Sequence, residues 1–251
     1  MSLPSAQYCY QVIAGTWPPA AQRNIGPWTI RLDASNSSRV CAATAQGPWT
    51  ANDITLAATT MRAAGQTPLF MIRAGEGALD DALAQRGYVI KDPVNIHAAA
   101  LDQIATQRPP PVTTFEVWPP LAAQEEIWAA GGITAGRLAI MDRAPMPKTT
   151  ILGRINDRPA GTLFAAIHGD CVMVHAVEIA AAHRRQGLAR HMMVASAFWA
   201  RGQGARWLTL VATQANTAAN ALYASLGMEV VGQYHYRIMP ENSLDRPTHR
   251  P

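Results

Sequence analysis

The alternation of hydrophobic and polar positions in the second half of the chain predicts a mixed α/β domain. Short apolar runs rich in β-branched residues indicate strands, whereas apolar residues three and four positions apart indicate helices. We expect strands over residues 112–118, 148–156, 161–168, 171–179, 207–212 and 229–238, and helices over 121–130, 133–143, 188–200 and 218–226. A meander followed by two strand–helix units favours a mixed sheet covered by helices.

The first half of the chain ends in a similar pattern. We expect a strand over residues 68–73, a helix over 79–86 and a second strand over 88–97. Gly87 and Gly227 each follow a predicted helix and are 140 positions apart, and the same shift takes Phe70 to Leu210. The constant offset indicates a weak internal duplication, although strand–helix–glycine–strand is also a common order in α/β proteins.

Three consecutive prolines within residues 105–112 predict an extended linker, because proline lacks an amide donor and favours polyproline geometry. We therefore expect a first domain over residues 1–105, a linker over 106–112 and a second domain over 113–251. Both predicted domains are of ordinary size.

Composition and charge narrow the class of protein. Hydrophobic residues make up 49% of the chain and charged residues 15%, which is enough apolar material for a packed core. The net charge is +4, and several of the positive charges lie in the run 183–185 and the tail 237–250. A dedicated nucleic-acid binder usually carries a denser basic stripe interleaved with aromatic residues, so we do not favour that class. The sequence has three cysteines and no metal-ligand spacing, so we expect no bound metal. It shows no secretory leader and no membrane span, so we expect a cytoplasmic protein.

The most informative segment lies directly after the strand predicted over 171–179. Residues 183–190 read His-Arg-Arg-Gln-Gly-Leu-Ala-Arg and continue into a predicted helix. The first amides of a helix have no internal partner and favour anions, and Gly187 and Ala189 leave room for a ligand to approach. This spacing differs from the P-loop and from G-x-G-x-x-G, and it predicts a pyrophosphate cradle. A basic helix start that faces solvent is the alternative.

A second pattern follows downstream, where residues 216–228 read N-x-x-A-x-x-L-Y-x-x-x-G-M. Together with Arg184-x-x-Gly187-x-Ala189, this segment resembles the GNAT superfamily of acyl-CoA-dependent N-acyltransferases over about residues 112–239. The resemblance implies the GNAT fold, with residues 1–105 as a smaller, degenerate GNAT-like domain that lacks the cofactor motif. It also implies acetyl-CoA as co-substrate. The implied contacts to acetyl-CoA come from Val177, Ile179, Ala181, Arg184, Arg185, Gln186, Gly187, Leu188, Ala189, Arg190, Asn216 and Asn220.

The resemblance also implies catalytic roles. Tyr223 is the candidate proton donor to the departing thiolate, and a packing aromatic is its alternative. Some family members carry a glutamate as base where this chain has Met173. His175 shares the face of Met173 in a regular strand, although a strand histidine is more often structural. Glu178 points the opposite way unless a bulge intervenes, and the absence of a dedicated base is a further alternative.

The function implied is acetyl-CoA-dependent N-acetylation of a primary amine on a small molecule, peptide or protein. A non-catalytic acyl-CoA-binding regulatory module is the alternative from another class. We expect no nucleic-acid or membrane partner and either a monomer or a homodimer.

Overall fold

The computed structural model describes residues 2–240, so the part of the predicted second domain over 241–251 lies outside the described residues. The described residues divide into two units. The first unit comprises the residues up to Pro18 together with Asn95–Gly232, and the second comprises Pro19–Val94 together with the residues from Gln233 onward.

The first unit is a mixed sheet with helices. Its elements are α1 (Ala6–Thr16), the end of β5 (Val89–Ala100), α5 (Leu101–Ile104), β6 (Thr114–Val117), α6 (Ala122–Ala130), α7 (Ala135–Arg143), β7 (Lys148–Ile155), β8 (Arg158–His168), β9 (Cys171–Ile179), α8 (Leu188–Gly202), β10 (Trp207–Thr213), α9 (Thr217–Ser225) and the start of β11 (Glu229–Ile238). The strand order is β5-β10-β9-β8-β7-β6. Strands β6 to β9 are antiparallel neighbours, and β10 is parallel to β9.

Helix α8 supplies much of the core of this unit. Leu188 and Met192 are four positions apart on its buried face, which packs against the sheet. A Cβ added to Gly153 would lie 2.6 Å from the sulfur of Met192, and one added to Gly161 would lie 2.9 Å from the same atom. The two strand glycines therefore allow α8 to approach the sheet closely. The residues of α8 that face the sheet recur at the spacing expected of an amphipathic helix.

The second unit has its own hydrophobic core. Its elements are β1 (Ala21–Ile25), β2 (Trp28–Leu32), α2 (Ser38–Cys41), β3 (Ala43–Ala45), α3 (Ala51–Ala63), β4 (Leu69–Arg73), α4 (Gly77–Gln85), the start of β5 and the end of β11, with strand order β1-β2-β3-β4-β11. Trp28, Phe70 and Tyr88 stack edge to face in its core. Asp80 on α4 accepts hydrogen bonds from Arg237 at 2.6 and 3.0 Å and lies 2.7 Å from His235.

The element bounds follow the offset that the sequence predicts. Helices α4 and α9 both span nine residues, from Gly77–Gln85 and Thr217–Ser225, so their ends are 140 positions apart. Strands β5 and β11 begin at Val89 and Glu229, with the same separation. Gly87 and Gly227 both adopt positive φ, at +83° and +77°. The duplication itself stays a prediction, and the shared bounds are what supports it.

The two units group the elements differently from the two halves of the sequence, and the domains over 1–105 and 113–251 with a linker over 106–112 stay a prediction. Helix α1 belongs to the unit that holds most of the second half, because Tyr8 donates to Asp170 at 3.0 Å and Thr16 lies 2.9 Å from His175. The end of β5 belongs there as well, since it lies beside β10 and Leu101 N donates to Arg206 O. Proline content carries no information on which sheet the flanking strands join.

Candidate active site

Strands β9 and β10 separate at their carboxyl ends. Their pairing runs from Cys171–Trp207 to Val174–Leu210, and β9 then continues beside β8 as far as Ile179–Gly161. A cleft of about 530 Å³ lies against the end of β9, the start of α8 and α9. The sequence-predicted residues that line it are Val177, Glu178, Ile179, Arg184, Arg185, Gly187, Leu188, Ala189, Arg190, Asn216 and Tyr223. His183, Ala218, Ala219 and Leu222 also line the cleft and were not predicted as site residues.

A β-bulge near the end of β9 turns the strand toward the cleft. Phe164 pairs with His175, yet Thr162 pairs with Glu178, so β9 carries one more residue than β8 between these pairs. Ala176 within the bulge adopts φ +52°, which is uncommon for a residue other than glycine. In a regular strand, Glu178 would point to the side opposite His175. The bulge places both side chains on the same side of β9.

The surroundings of Glu178 fix its carboxylate. Its side chain is 17% exposed, and Oε1 accepts from the guanidinium of Arg184 at 3.1 Å. The Nε of Arg184 donates to Ile179 O at 3.0 Å, so the same guanidinium also binds the end of β9. Arg184, the first residue of the predicted cradle motif, therefore links the loop before α8 to the strand that carries Glu178.

The start of α8 is built as an anion-binding end. Gly187 is the N-cap, adopts φ +82° and has no side chain to cap the helix. The first amides of α8, which like those of any helix lack an intrahelical partner, therefore have no side-chain cap from Gly187 either. Arg184, Arg185 and Arg190 line the cleft around this end. Amides and guanidinium groups that converge in this way favour a phosphate or pyrophosphate.

Tyr223 lies on α9 at the cleft. Burial raises the pKa of its hydroxyl to about 12, so the phenol stays protonated at neutral pH. Its ring meets the ring of His97 edge to face, with centroids 5.4 Å apart. A protonated hydroxyl at the wall of the cleft can act as a hydrogen-bond or proton donor, which is the role that the sequence predicts for it.

Asn220 is placed differently from its prediction as a cofactor contact. Its Nδ2 donates to Thr213 O at 2.9 Å and to Asn216 O at 2.7 Å, and its Oδ1 lies 2.9 Å from His97 Nε2 and 3.2 Å from Asn95 Nδ2. Both donors and the acceptor are thus engaged within the protein. Asn220 holds the turn that leads into α9, and Asn216 caps the helix by accepting from the amide of Ala219 at 3.1 Å.

His175 is enclosed between the sheet and α1. It is 3% exposed, its ring stacks on Trp17 with centroids 4.8 Å apart, and it does not line the cleft. Thr16 donates its hydroxyl proton to Val12 O at 2.7 Å, so its oxygen accepts from His175 Nε2 at 2.9 Å. This arrangement favours the structural histidine over the candidate base. Ala181 and Gln186, predicted as cofactor contacts, lie beside the cleft lining rather than in it.

The three cysteines take no part in this site. Cys9, Cys41 and Cys171 are buried as free thiols, and burial raises the pKa of each. Thiols held in the protonated form are poor nucleophiles and poor metal ligands. In the part of the chain that the structure describes, no group of three His, Cys, Asp or Glu residues could hold a metal ion. No helix of that part is long and apolar enough to cross a membrane.

The residues that line the cleft lie within a match to a known family. A family model described as "Acetyltransferase (GNAT) family" matches residues 105–228. This part of the chain belongs to the GNAT family of acetyltransferases. GNAT enzymes use acetyl-CoA as co-substrate, and the implied fold and enzyme class are confirmed.

The relatives extend the similarity to almost the whole chain. The uncharacterized N-acetyltransferase YobR of Bacillus subtilis is 26% identical over 241 residues, which cover 91% of this chain and 96% of YobR. A GCN5-related N-acetyltransferase from Kribbella flavida has a similar fold, with a TM-score of 0.71, 20% identity and coverage of 94% of this chain and 95% of that one. A tandem GNAT protein from the clavulanic acid biosynthesis pathway matches with a TM-score of 0.61, 13% identity and coverage of 91% and 86%.

Proposed function

We propose that this GNAT protein transfers an acetyl group from acetyl-CoA to a primary amine of a small molecule, peptide or protein. The observation that carries the proposal is the cleft against the end of β9, the start of α8 and α9, which joins an anion-binding helix end to a protonated tyrosine and a carboxylate. Each of these features lies on the second half of the chain, within the family match.

The cleft suits an acyl-CoA in charge and shape. Three arginines and the free amides of α8 attract a pyrophosphate, and Glu178 is the single acidic residue among the described residues that line the cleft. Val177, Ile179 and Leu222 supply an apolar wall for an uncharged chain. Bound acetyl-CoA supplies the acetyl group as a thioester. Backbone amides at the end of β9 are suited to orient that group, as the family likeness implies.

Two side chains serve proton transfer in this proposal. The hydroxyl of Tyr223, protonated at neutral pH, is the donor to the leaving group. The carboxylate of Glu178 accepts a proton from the attacking amine, directly or through water. An α-amine with a pKa of about 7.7–8.0 needs less help than a lysine side chain at about 10.4, so the demand on Glu178 depends on the acceptor.

Calorimetric titration of acetyl-CoA tests the cofactor. We compare the wild-type protein with Ala189→Glu, which places a carboxylate in the first turn of α8 at the cleft. Ala122→Glu, at the exposed first position of α6, makes the same change away from the cleft and is the matched control. We expect Ala189→Glu to weaken binding by about tenfold or more, because like charges close together near a protein surface repel by about 1–4 kcal/mol.

Turnover is then measured as thiol release with a panel of amines. We expect Tyr223→Phe to lower kcat by about a hundredfold or more while the Kd for acetyl-CoA is unchanged, since a lost proton donor costs about 10²–10⁴-fold. Binding without turnover for every amine would support the regulatory module instead. Absence of acetyl-CoA binding to the wild-type protein would refute the proposed function.

A further inference from the structure

The C-terminal end of α6 contacts the bulged part of β9 at two points. The indole Nε1 of Trp128 donates to the carbonyl of Ala176 at 2.7 Å, and Trp128 is fully buried. One turn further along, Gly131 faces Glu178. A Cβ added to Gly131 would lie 2.5 Å from both Cδ and Oε2 of Glu178 and 2.7 Å from its Cγ. The end of α6 therefore touches both the backbone that turns Glu178 and the carboxylate itself.

The bulge needs support from outside the sheet. Ala176 is held at φ +52°, where a side chain meets steric resistance, and a bulge leaves its extra residue outside the regular ladder of hydrogen bonds. A buried carbonyl without a partner is destabilising. The indole of Trp128 supplies that partner, so the conformation that brings Glu178 to the cleft depends on a residue 48 positions earlier in the chain.

The carboxylate of Glu178 is confined from two directions. Arg184 binds Oε1 at 3.1 Å, and Gly131 approaches Oε2 so closely that only a glycine leaves the space free. Gly131 does not need the freedom of glycine for its backbone, because it is the C-cap of α6 at φ −86°. Close approach to Glu178 is therefore the feature that explains the absence of a side chain here.

We propose that Trp128 and Gly131 are positioning residues for Glu178 in acetyl transfer. Trp128 fixes the bulge that directs Glu178 into the cleft, and Gly131 leaves the space that the carboxylate occupies. This inference rests on the proposed function. It assigns to α6 a role in the rate of the reaction and not in the binding of acetyl-CoA, because neither residue lines the cleft.

The central test is Gly131→Ala, with Gly202→Ala as matched control. Nothing lies within 4 Å of a Cβ added to Gly202, which is exposed at the end of α8. The Glu178 side chain is flexible and can move aside, so we expect Gly131→Ala to fold and to bind acetyl-CoA with wild-type Kd. Its kcat should fall by about tenfold or more, since misplacing a reacting group by about 1 Å costs up to about 10²-fold. Equal kcat losses in the two variants, or less than a twofold loss in Gly131→Ala, would overturn the proposal.

A double-mutant cycle with Glu178→Asp tests the contact itself. The shorter aspartate avoids the added methyl group, so Gly131→Ala should cost little kcat in the Glu178→Asp background. A loss of the same factor in both backgrounds would show that Gly131 acts without Glu178 and would overturn the proposal.

Trp128→Phe keeps an aromatic ring, smaller than the indole, and removes the N–H donor. We expect kcat to fall by about tenfold. The control is Trp207→Phe, at a buried tryptophan that begins β10 and does not line the cleft, and it should leave kcat within twofold of wild type. In the wild-type protein, hydrogen exchange at the Trp128 indole should be slow, and rapid exchange would overturn its bond to Ala176. If the wild-type protein fails to turn over any amine, the proposed function fails and the positioning role fails with it. Normal turnover in both Gly131→Ala and Trp128→Phe refutes the positioning role alone.

Discussion

Thr16 joins helix α1 to the sheet strands of the first unit through a single oxygen atom. Its Oγ1 donates to Val12 O at 2.7 Å and accepts from His175 Nε2 at 2.9 Å, and Thr16 is fully buried. Thr16→Val keeps the size of the side chain and removes that oxygen. The variant therefore takes away the acceptor of a buried N–H group while the stacking of His175 on Trp17 is retained.

The expected cost is that of a buried donor left without its acceptor. Such groups destabilise the folded state by about 1–3 kcal/mol. For about 150–250 residues, each kcal/mol shifts Tm by about 2–4 °C, so a loss of about 2 kcal/mol should lower Tm by about 4–8 °C. We expect no change in kcat beyond twofold, because His175 does not line the cleft.

Thermal unfolding followed by circular dichroism provides the assay, with Thr16→Ser as control. Serine keeps the hydroxyl group and loses one buried methyl, which costs about 0.8 kcal/mol or somewhat more. Thr16→Val should therefore be the less stable variant. A valine variant as stable as the serine variant would refute the hydrogen bond, and a tenfold loss of kcat at unchanged Tm would return His175 to the reaction as a base.

Two further predictions concern hydrogen-bonded side chains in the two units. Asn220→Ala removes the group that joins His97, Asn95 and the turn before α9, so thermal unfolding should show a larger loss of stability than for Asn216→Ala, whose single cap bond is worth about 1 kcal/mol. An equal or smaller loss would contradict this arrangement. In the second unit, the hydrogen bond from Arg237 holds the pKa of Asp80 below its usual range, so its stabilising effect is present above about pH 4 and is lost as the pH falls through the folded-state pKa. Urea unfolding of wild type and Asp80→Asn should show a difference in free energy that is smaller at pH 3 than at pH 5, whereas a difference that persists unchanged at pH 3 would count against it.

The backbone geometry at the start of α8 was predictable because its requirements are local. Gly187 adopts positive φ, small Ala189 follows it, and the arginines precede and follow at fixed spacing, so seven consecutive positions record the whole geometry. The same holds for most helices and strands of the second half. The helix predicted over 121–130, for example, is found at Ala122–Ala130.

The supports of the site were not predictable, because their partners are distant in sequence. His97 and Asn220 are 123 positions apart, and Trp128 and Ala176 are 48 apart. No spacing rule links such pairs, and a tryptophan, a glycine or a strand histidine has an ordinary packing role in most proteins. The sequence offered the bulge only as a condition for the orientation of Glu178. The position that adopts positive φ is an alanine, Ala176, and not a glycine that would have marked the bulge.

The halves of the sequence and the folded units do not coincide. The family match begins at residue 105, yet the first unit also contains α1 and the end of β5, which carry Thr16 and His97. If the two halves are repeats, β5 and β11 are equivalent strands, and each begins in one unit and ends in the other. The second part of the final strand of each repeat then belongs to the opposite unit. Residues 1–105 therefore have a structural reason to be present even without a cofactor motif, because Asn220 holds the turn that leads into α9, the helix of Tyr223, and the end of β5 binds Asn220.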